Sequence, residues 1–190
     1  MSGRHRAESR RSRRSARAGD GERDEDFREF VAGRAEAIRF TAYLLCGDWH
    51  EAEDIAQTAL VRLYLAWHRL DRERSLDAYV RRVVTRTFLN ERRRPWRRRE
   101  QPTDSPPDTR AALPAVPEER LVLWAALAEV PRRQRAALVL RYWEDLSVEE
   151  TAEMLGCSVG NVKSQCSRGL RTLRALLERQ GVVADMAEGW

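Results

Sequence analysis

Apolar residues recur along most of this chain at helical intervals, and no stretch alternates as a half-buried strand would. The clearest case runs from Leu146 to Leu177. Ser147 precedes a short apolar pattern and Glu150 follows three residues on, the arrangement of a capping box. Val148, Ala152 and Leu155 share one face of the helix that starts there, and Gly156 supplies the left-handed residue that stops it. Ser158 caps a second, longer helix. Its predicted buried stripe is Val162, Cys166, Leu170, Leu173 and Leu177. A short helix, a glycine turn and a capped second helix make a helix-turn-helix.

Upstream, Phe27, Phe30, Val31, Ile38 and Leu45 predict a helix over about Asp26 to Cys46, broken by Gly47-Asp48. A second helix, about Glu51 to His68, turns Ala52, Ile55, Ala56, Ala59, Leu60, Leu63, Tyr64 and Trp67 inward. After a polar loop, Arg69 to Ser75, a third runs from about Asp77 to Arg94 on Val80, Val83, Val84, Thr87 and Phe88. Residues 100–117 hold five of the seven prolines and no helical pattern, which reads as a partly stiff linker. Beyond it, Leu121, Trp124, Ala125 and Leu127 mark one helix. Pro131 suits the first turn of the next, with Ala136, Leu138, Val139, Tyr142 and Trp143 as core. The expected fold is all-α, with two small helical domains, 26–99 and 118–180, joined by a Pro-rich linker. The second domain ends in the helix-turn-helix. Residues 1–25 read as a disordered basic arm and 181–190 as a short tail.

Charge adds a partner to this picture. The net charge of +5 favours a polyanion. The outward face of the last helix is Asn161, Lys163, Ser164, Gln165, Ser167, Arg168 and Arg171, with no acid until Glu178. Such a face suits a DNA major groove, because it offers donors to phosphates and base edges. Lys163 is the only lysine in the chain. The third helix exposes Arg81, Arg82, Arg86, Asn90, Arg92 and Arg93, and cations continue to Arg99. A phosphate backbone would satisfy that density. The arginines of residues 1–25 either add non-specific DNA affinity or form a solvated tail. Glu51, Glu53, Asp54 and Gln57 gather on the early outer surface of the second helix. Acids there suit the helix dipole, or form a docking surface for a basic partner.

Other chemistry is not indicated. Cys46, Cys157 and Cys166 lack metal-ligand spacing and read as core or turn residues of a reducing cytoplasm. No Gly-rich phosphate loop, nucleophile–base set or apolar core of a signal peptide is present, and no apolar run reaches membrane-spanning length. No enzyme activity, cofactor, metal or membrane insertion is therefore expected. The residues alone give a two-domain, all-α, cytoplasmic DNA binder. A dimeric repressor or activator is the alternative, but it leaves the acids around Asp54 unexplained.

Three ordered segments resemble the extracytoplasmic-function (ECF) sigma factors of the bacterial sigma-70 superfamily, closest to the actinobacterial SigE-type subgroup. GDWHEAEDIAQTALVRLYLAW resembles the polymerase-binding segment. DAYVRRVVTRTFLNERRR resembles the helix for the −10 promoter element, and LAEVPRRQRAALVLRYWEDLSVEETAEMLGCSVGNVKSQCSRGLRTLR the −35-binding domain. The resemblance implies that Asp54 and Gln57, with Glu51 and Glu53, grip the basic clamp helices of the polymerase β′ subunit. It implies that Asn90 and the loop Arg69 to Ser75 hold a flipped −10 base, with Arg82, Arg86, Arg92 and Arg93 on the backbone. It also implies that Lys163, Ser164, Gln165 and Arg168 read the −35 element, with Asn161 at the mouth of the helix. Implied partners are core RNA polymerase (β′ clamp helices and β flap), promoter DNA and, for some members, an anti-sigma factor. The free protein is expected to be monomeric and cytoplasmic, and nucleoid-associated on polymerase, with its two DNA readers unaligned. Thr58 stands where the family usually has Glu, Gln165 where Arg is common, and Cys166 where Leu or Ile is usual.

Overall fold

The computed structural model describes residues 3–70, 76–90 and 117–180, with side chains in the first helix from Asp24 onward. All regular structure among these residues is helical. Helix α1 spans Gly3–Cys46 and α2 Trp49–Ala66; after a 3-10 turn at Trp67–Arg69, α3 spans Leu76–Asn90. Helices α4 (Glu118–Glu129), α5 (Arg132–Leu138), α6 (Val148–Leu155) and α7 (Val159–Arg179) form the second half.

Helix α1 begins well before the expected Asp26, crossing the stretch read as a disordered arm. That stretch lacks an apolar stripe, but it is rich in Arg and Ala, which are good helix formers. Extending an existing helix costs far less than nucleating one. The turn after α1 has two independent reasons to contain glycine. Gly47 adopts φ +79°, and a Cβ there would lie 2.4 Å from the Ala128 Cβ of α4. Asp48 then caps α2, its carboxylate accepting from the Glu51 amide at 2.8 Å. Across this turn the Tyr43 and Trp49 rings stack at 4.1 Å. Burial pushes the thiol of Cys46 beside it up to about 12, which disfavours the thiolate.

The core of the first half joins Ile38, Ala42 and Leu45 to Ile55, Ala56, Ala59 and Leu63, with Val80, Val84 and Phe88 closing the third side. Alanines at the contacts let α1 and α2 approach closely. Tyr64, expected inside, is 49 % exposed instead. It packs at the rim, edge-on to Phe27 at 5.0 Å, and its hydroxyl donates to Asp24.

In the second half, α5 widens into a π turn over Val139–Trp143, with the Glu144 amide donating to the Val139 carbonyl at 3.0 Å. The wider turn swings Tyr142 and Trp143, both expected as core, out to 61 % and 49 % exposure. Leu140 remains fully buried. Two further expected core positions are displaced by a neighbour. Ala126 is buried where Ala125 was expected, and Gly169 is buried where Leu170 was expected. A Cβ on Gly169 would stand 3.0 Å from the Leu138 Cδ1, so glycine lets α7 settle closely onto α5.

The helix-turn-helix forms as its caps require. Ser147 and Glu150 exchange hydrogen bonds of 2.7 and 3.1 Å in a full capping box, and Gly156 ends α6 at φ +62°. The Ser147 backbone N–H and hydroxyl, which bind the ionised form, hold the Glu150 carboxyl below its ordinary value. A folded-state value below the unfolded one stabilises fully above the ordinary carboxylate range. That stabilisation is lost as pH falls through the folded value. The Glu150→Gln variant is therefore expected to melt lower than the wild type at pH 7 and to show a flatter acid limb below pH 4.5. Parallel melting curves across that range would contradict the assignment.

The two halves are docked on one another. The Phe40 ring of α1 meets Trp124 of α4 edge-on at 4.9 Å and lies 5.1 Å from Trp143. Trp124, Ala136 and Val139 join the same apolar core as α1, α2 and α3. Arg132 of α5 lays its guanidinium 3.9 Å over the Phe88 ring and donates to the Phe88 carbonyl. Burial of a shared aromatic cluster outweighs the freedom a linker would otherwise give.

Candidate polymerase and promoter interfaces

Helix α2 presents the acidic surface. Asp54 and Gln57 are exposed, and Glu51 and Glu53 are half-buried. Glu53 accepts from the Gln57 side chain at 3.1 Å and pairs with Arg39 at 3.6 Å. Glu51 faces Arg132 of the second half at 3.7 Å. The same outer stripe continues beyond the acids into Val61 and Leu65, which are 59 % and 63 % exposed. Sequence reasoning passed over these two, because the stronger inward stripe already explained the apolar content of α2. Their spacing from Asp54 along one helix face was the available signal.

Helix α3 carries the second surface. Arg82, Arg86 and Asn90 recur every four residues and so share a face. Arg86 and Asn90 are exposed. Arg82 is engaged across the docked halves by Glu153 of α6, at 2.7 Å. Its neighbour Arg81 reaches Glu144 at 3.5 Å. Arg92 and Arg93 lie outside the described residues, as do most of the loop after Arg69 and the linker.

Helix α7 carries the third. Asn161, Lys163, Ser164 and Arg168 are exposed and Gln165 is half-buried. Ser158 caps the helix by accepting from the Asn161 amide at 3.2 Å, which fixes its first turn. Val162 and Cys166 anchor the opposite side in the core. Lys163 also lines an open groove with Arg141, Tyr142, Ser167 and Leu170. Among the described residues no cluster of His, Cys, Asp and Glu could hold a metal ion, and no helix is long and apolar enough to cross a membrane.

Together these faces place acids on one helix, a cationic row on a second and an acid-free polar row on a third. Sigma-70 region 2 matches residues 31–98, and sigma-70 region 4 matches residues 120–173. The RNA polymerase sigma-E factor of Streptomyces avermitilis is 40% identical over 169 residues, covering 86% of this chain and 91% of that one. The ECF sigma factor ShbA of Streptomyces griseus is 36% identical, over 68% of this chain and 73% of that one. A solved structure of the sigma factor RpoE from Bartonella quintana, in complex with the anti-sigma factor NepR, shares the fold with a TM-score of 0.62. It is 23% identical and covers 81% of this chain and 98% of that one. With both sigma regions in order and a sigma-E factor matched over nearly its whole length, the chain belongs to the sigma-70 family, among its ECF sigma factors.

Proposed function

We propose that this chain binds core RNA polymerase in the cytoplasm, follows it to the nucleoid and selects promoters through two separate readers. The observation that carries this is the coexistence of three chemically distinct faces on one short chain. A repressor or activator that reads DNA through α7 alone has no use for the acids and exposed apolar residues of α2. Glu51, Glu53, Asp54 and Gln57 meet basic groups of the β′ clamp helices, and Val61 and Leu65 extend that contact with apolar area. Arg82 and Arg86, with Arg92 and Arg93, hold the −10 strand. Asn90 contacts a base that has left the stack. Asn161, Lys163, Ser164, Gln165 and Arg168 face the −35 element, and the region 4 surface offers the β flap its second anchor. As a sigma factor the chain performs no chemistry itself; polymerase does. An anti-sigma factor, the partner of the RpoE relative, would act by covering these same faces.

The test is run-off transcription with core polymerase across genomic promoters, which returns activity and DNA motif together. In that assay Arg168→Ala is expected to weaken a promoter with matched −10 and −35 elements by about 1–3 kcal/mol, the cost of losing a good base or backbone contact. On a promoter with a scrambled −35 element the same variant should match the wild type. Equal losses on both templates would remove Arg168 from the −35 reader. A chain that gives no promoter-specific transcript with core polymerase would overturn the reading altogether.

A further inference from the structure

We propose that the first turns of α1 form a basic arm that runs past the end of α2 and lies along the phosphate backbone of promoter DNA beside the −10 element. The inference rests on the assignment of region 2 to that element and goes beyond it. Its basis is a juxtaposition of backbone and sequence register. Helices α1 and α2 run antiparallel: Tyr43 stacks on Trp49 at one end, and Phe27 meets Tyr64 and Trp67 at the other. Helix α2 therefore ends level with Phe27, while α1 extends back to Gly3. At 1.5 Å per residue the turns before Asp24 add about 30 Å. The same end of region 2 holds both anchors of the loop Arg69 to Ser75. Trp67 lies 5.3 Å from Phe30, and Leu76 lines one cleft with Phe30, Arg34 and Trp67. The arm thus leaves region 2 beside the loop expected to hold the flipped base.

The sequence of those turns fits a polyanion. Residues 3–19 carry seven arginines against one glutamate, so the chain's net +5 becomes −1 without them. Long-range attraction to DNA therefore resides in this segment. Arg6, Arg10, Arg13 and Arg17 recur at intervals of four, three and four, which puts them on one helical face. Arg10 and Arg17 fall in the seven-residue register of Asp24, and Arg6 and Arg13 in that of Phe27, with a drift of about 20° per step. Asp24 and Phe27 are positions at which α1 meets the end of α2. Asp24 accepts from the Tyr64 hydroxyl, and Phe27 packs edge-on against Tyr64 and Trp67. The seam that packs α1 on α2 thus continues past α2 as arginine. Arg6, Arg10 and Arg13 have no acid three or four residues away, so no pair along the helix neutralises them. The acids that follow are engaged within region 2, Asp24 by Tyr64 and Glu25 by Arg28 at 2.9 Å. A protein partner would need apolar area, and residues 3–19 offer only Ala7, Ala16 and Ala18. Phosphates need only cations at helical spacing, and such contacts raise affinity and fix register without choosing sequence.

Two triple variants of the full chain test the face as well as the charge. Arg10→Gln, Arg13→Gln and Arg17→Gln together empty the seam. Arg4→Gln, Arg11→Gln and Arg14→Gln together remove the same charge elsewhere on the helix. Glutamine is a good helix former, and circular dichroism should show that both variants retain their helices. Binding to a random-sequence DNA duplex is followed by anisotropy over a salt series. The seam variant should lower the slope of log K against log salt by about 2.7, since each duplex phosphate contact contributes about 0.9. The off-seam variant should change it far less. With core polymerase added, a photo-crosslinker in place of Arg13 should attach to promoter DNA flanking the −10 element. Equal changes in the two variants, or a larger one off the seam, overturn the seam, since bare charge would then explain the binding. No change in the seam variant overturns the contact with DNA. Crosslinks confined to other DNA or to polymerase overturn the placement beside the −10 element. The sigma assignment fails separately, on a wild type that gives no promoter-specific transcript whatever the salt slopes show.

Discussion

Asp54→Arg should all but abolish co-purification with core RNA polymerase while leaving the fold unchanged. The side chain is exposed on α2, so a longer cation meets no packing limit there. At the proposed interface it would stand among the basic groups of the clamp helices, and a close charge pair would become a repulsion. Losing a buried interfacial pair costs on the order of 2–5 kcal/mol. That corresponds to roughly 30- to 4,000-fold in affinity. The result is read by pull-down with core polymerase, with a thermal melt as the control for folding. Wild-type retention by a folded variant would move the polymerase contact away from this face. Val61→Ser is expected to weaken binding far less, because it removes only apolar area.

Phe88→Ala should cost about 3–5 kcal/mol of stability, the penalty for removing a fully buried aromatic ring. Phe88 has no exposed surface and closes the core between α1, α2 and α3. Arg132 lies over its ring at 3.9 Å and Arg135 at 5.7 Å, so its loss also unseats region 4 from region 2. Against a total stability of about 5–15 kcal/mol, such a loss removes a large share of the folding free energy. Urea unfolding followed by helical signal measures it through the transition midpoint. The matched control is Tyr142→Ala, whose ring is 61 % exposed and whose removal should stay within about 0.5 kcal/mol. Equal effects at the two positions would mean that the core is not where the packing places it.

The parts of this fold that could be read from residues are those ruled by local chemistry. Ser147, Glu150, Gly156 and Ser158 state the helix-turn-helix outright, since caps and a left-handed stop act within one turn of the chain. The acidic and cationic faces were legible for the same reason: a face needs only helical spacing. Where the reading failed, the cause was geometry that regular helical spacing does not reveal, local in some places and distant in others. Tyr142 and Trp143 have the composition of core residues, but an extra residue in the π turn rotates them outward. Gly169 looks like a gap in an apolar stripe until Leu138 is seen against it. The extra length of α1 shows that a missing apolar face does not forbid a helix that a stronger segment has already started. Docking of the two halves was the largest omission. It depends on Phe40 meeting Trp124 and on Thr41 meeting Glu144, pairs separated by about half of the chain.

The placement of Lys163 has a practical consequence. Its ammonium is the only side-chain amine in the sequence, and it stands exposed on the α7 surface proposed to face the −35 element. Apart from the chain terminus, an amine-selective reagent therefore has a single address on this protein. A fluorophore, acyl group or photo-crosslinker attached through that chemistry would sit at the proposed −35 reader without any engineered cysteine. DNA that covers the face should shield the amine from modification. The rate of labelling then becomes a direct gauge of whether region 4 is seated on a promoter.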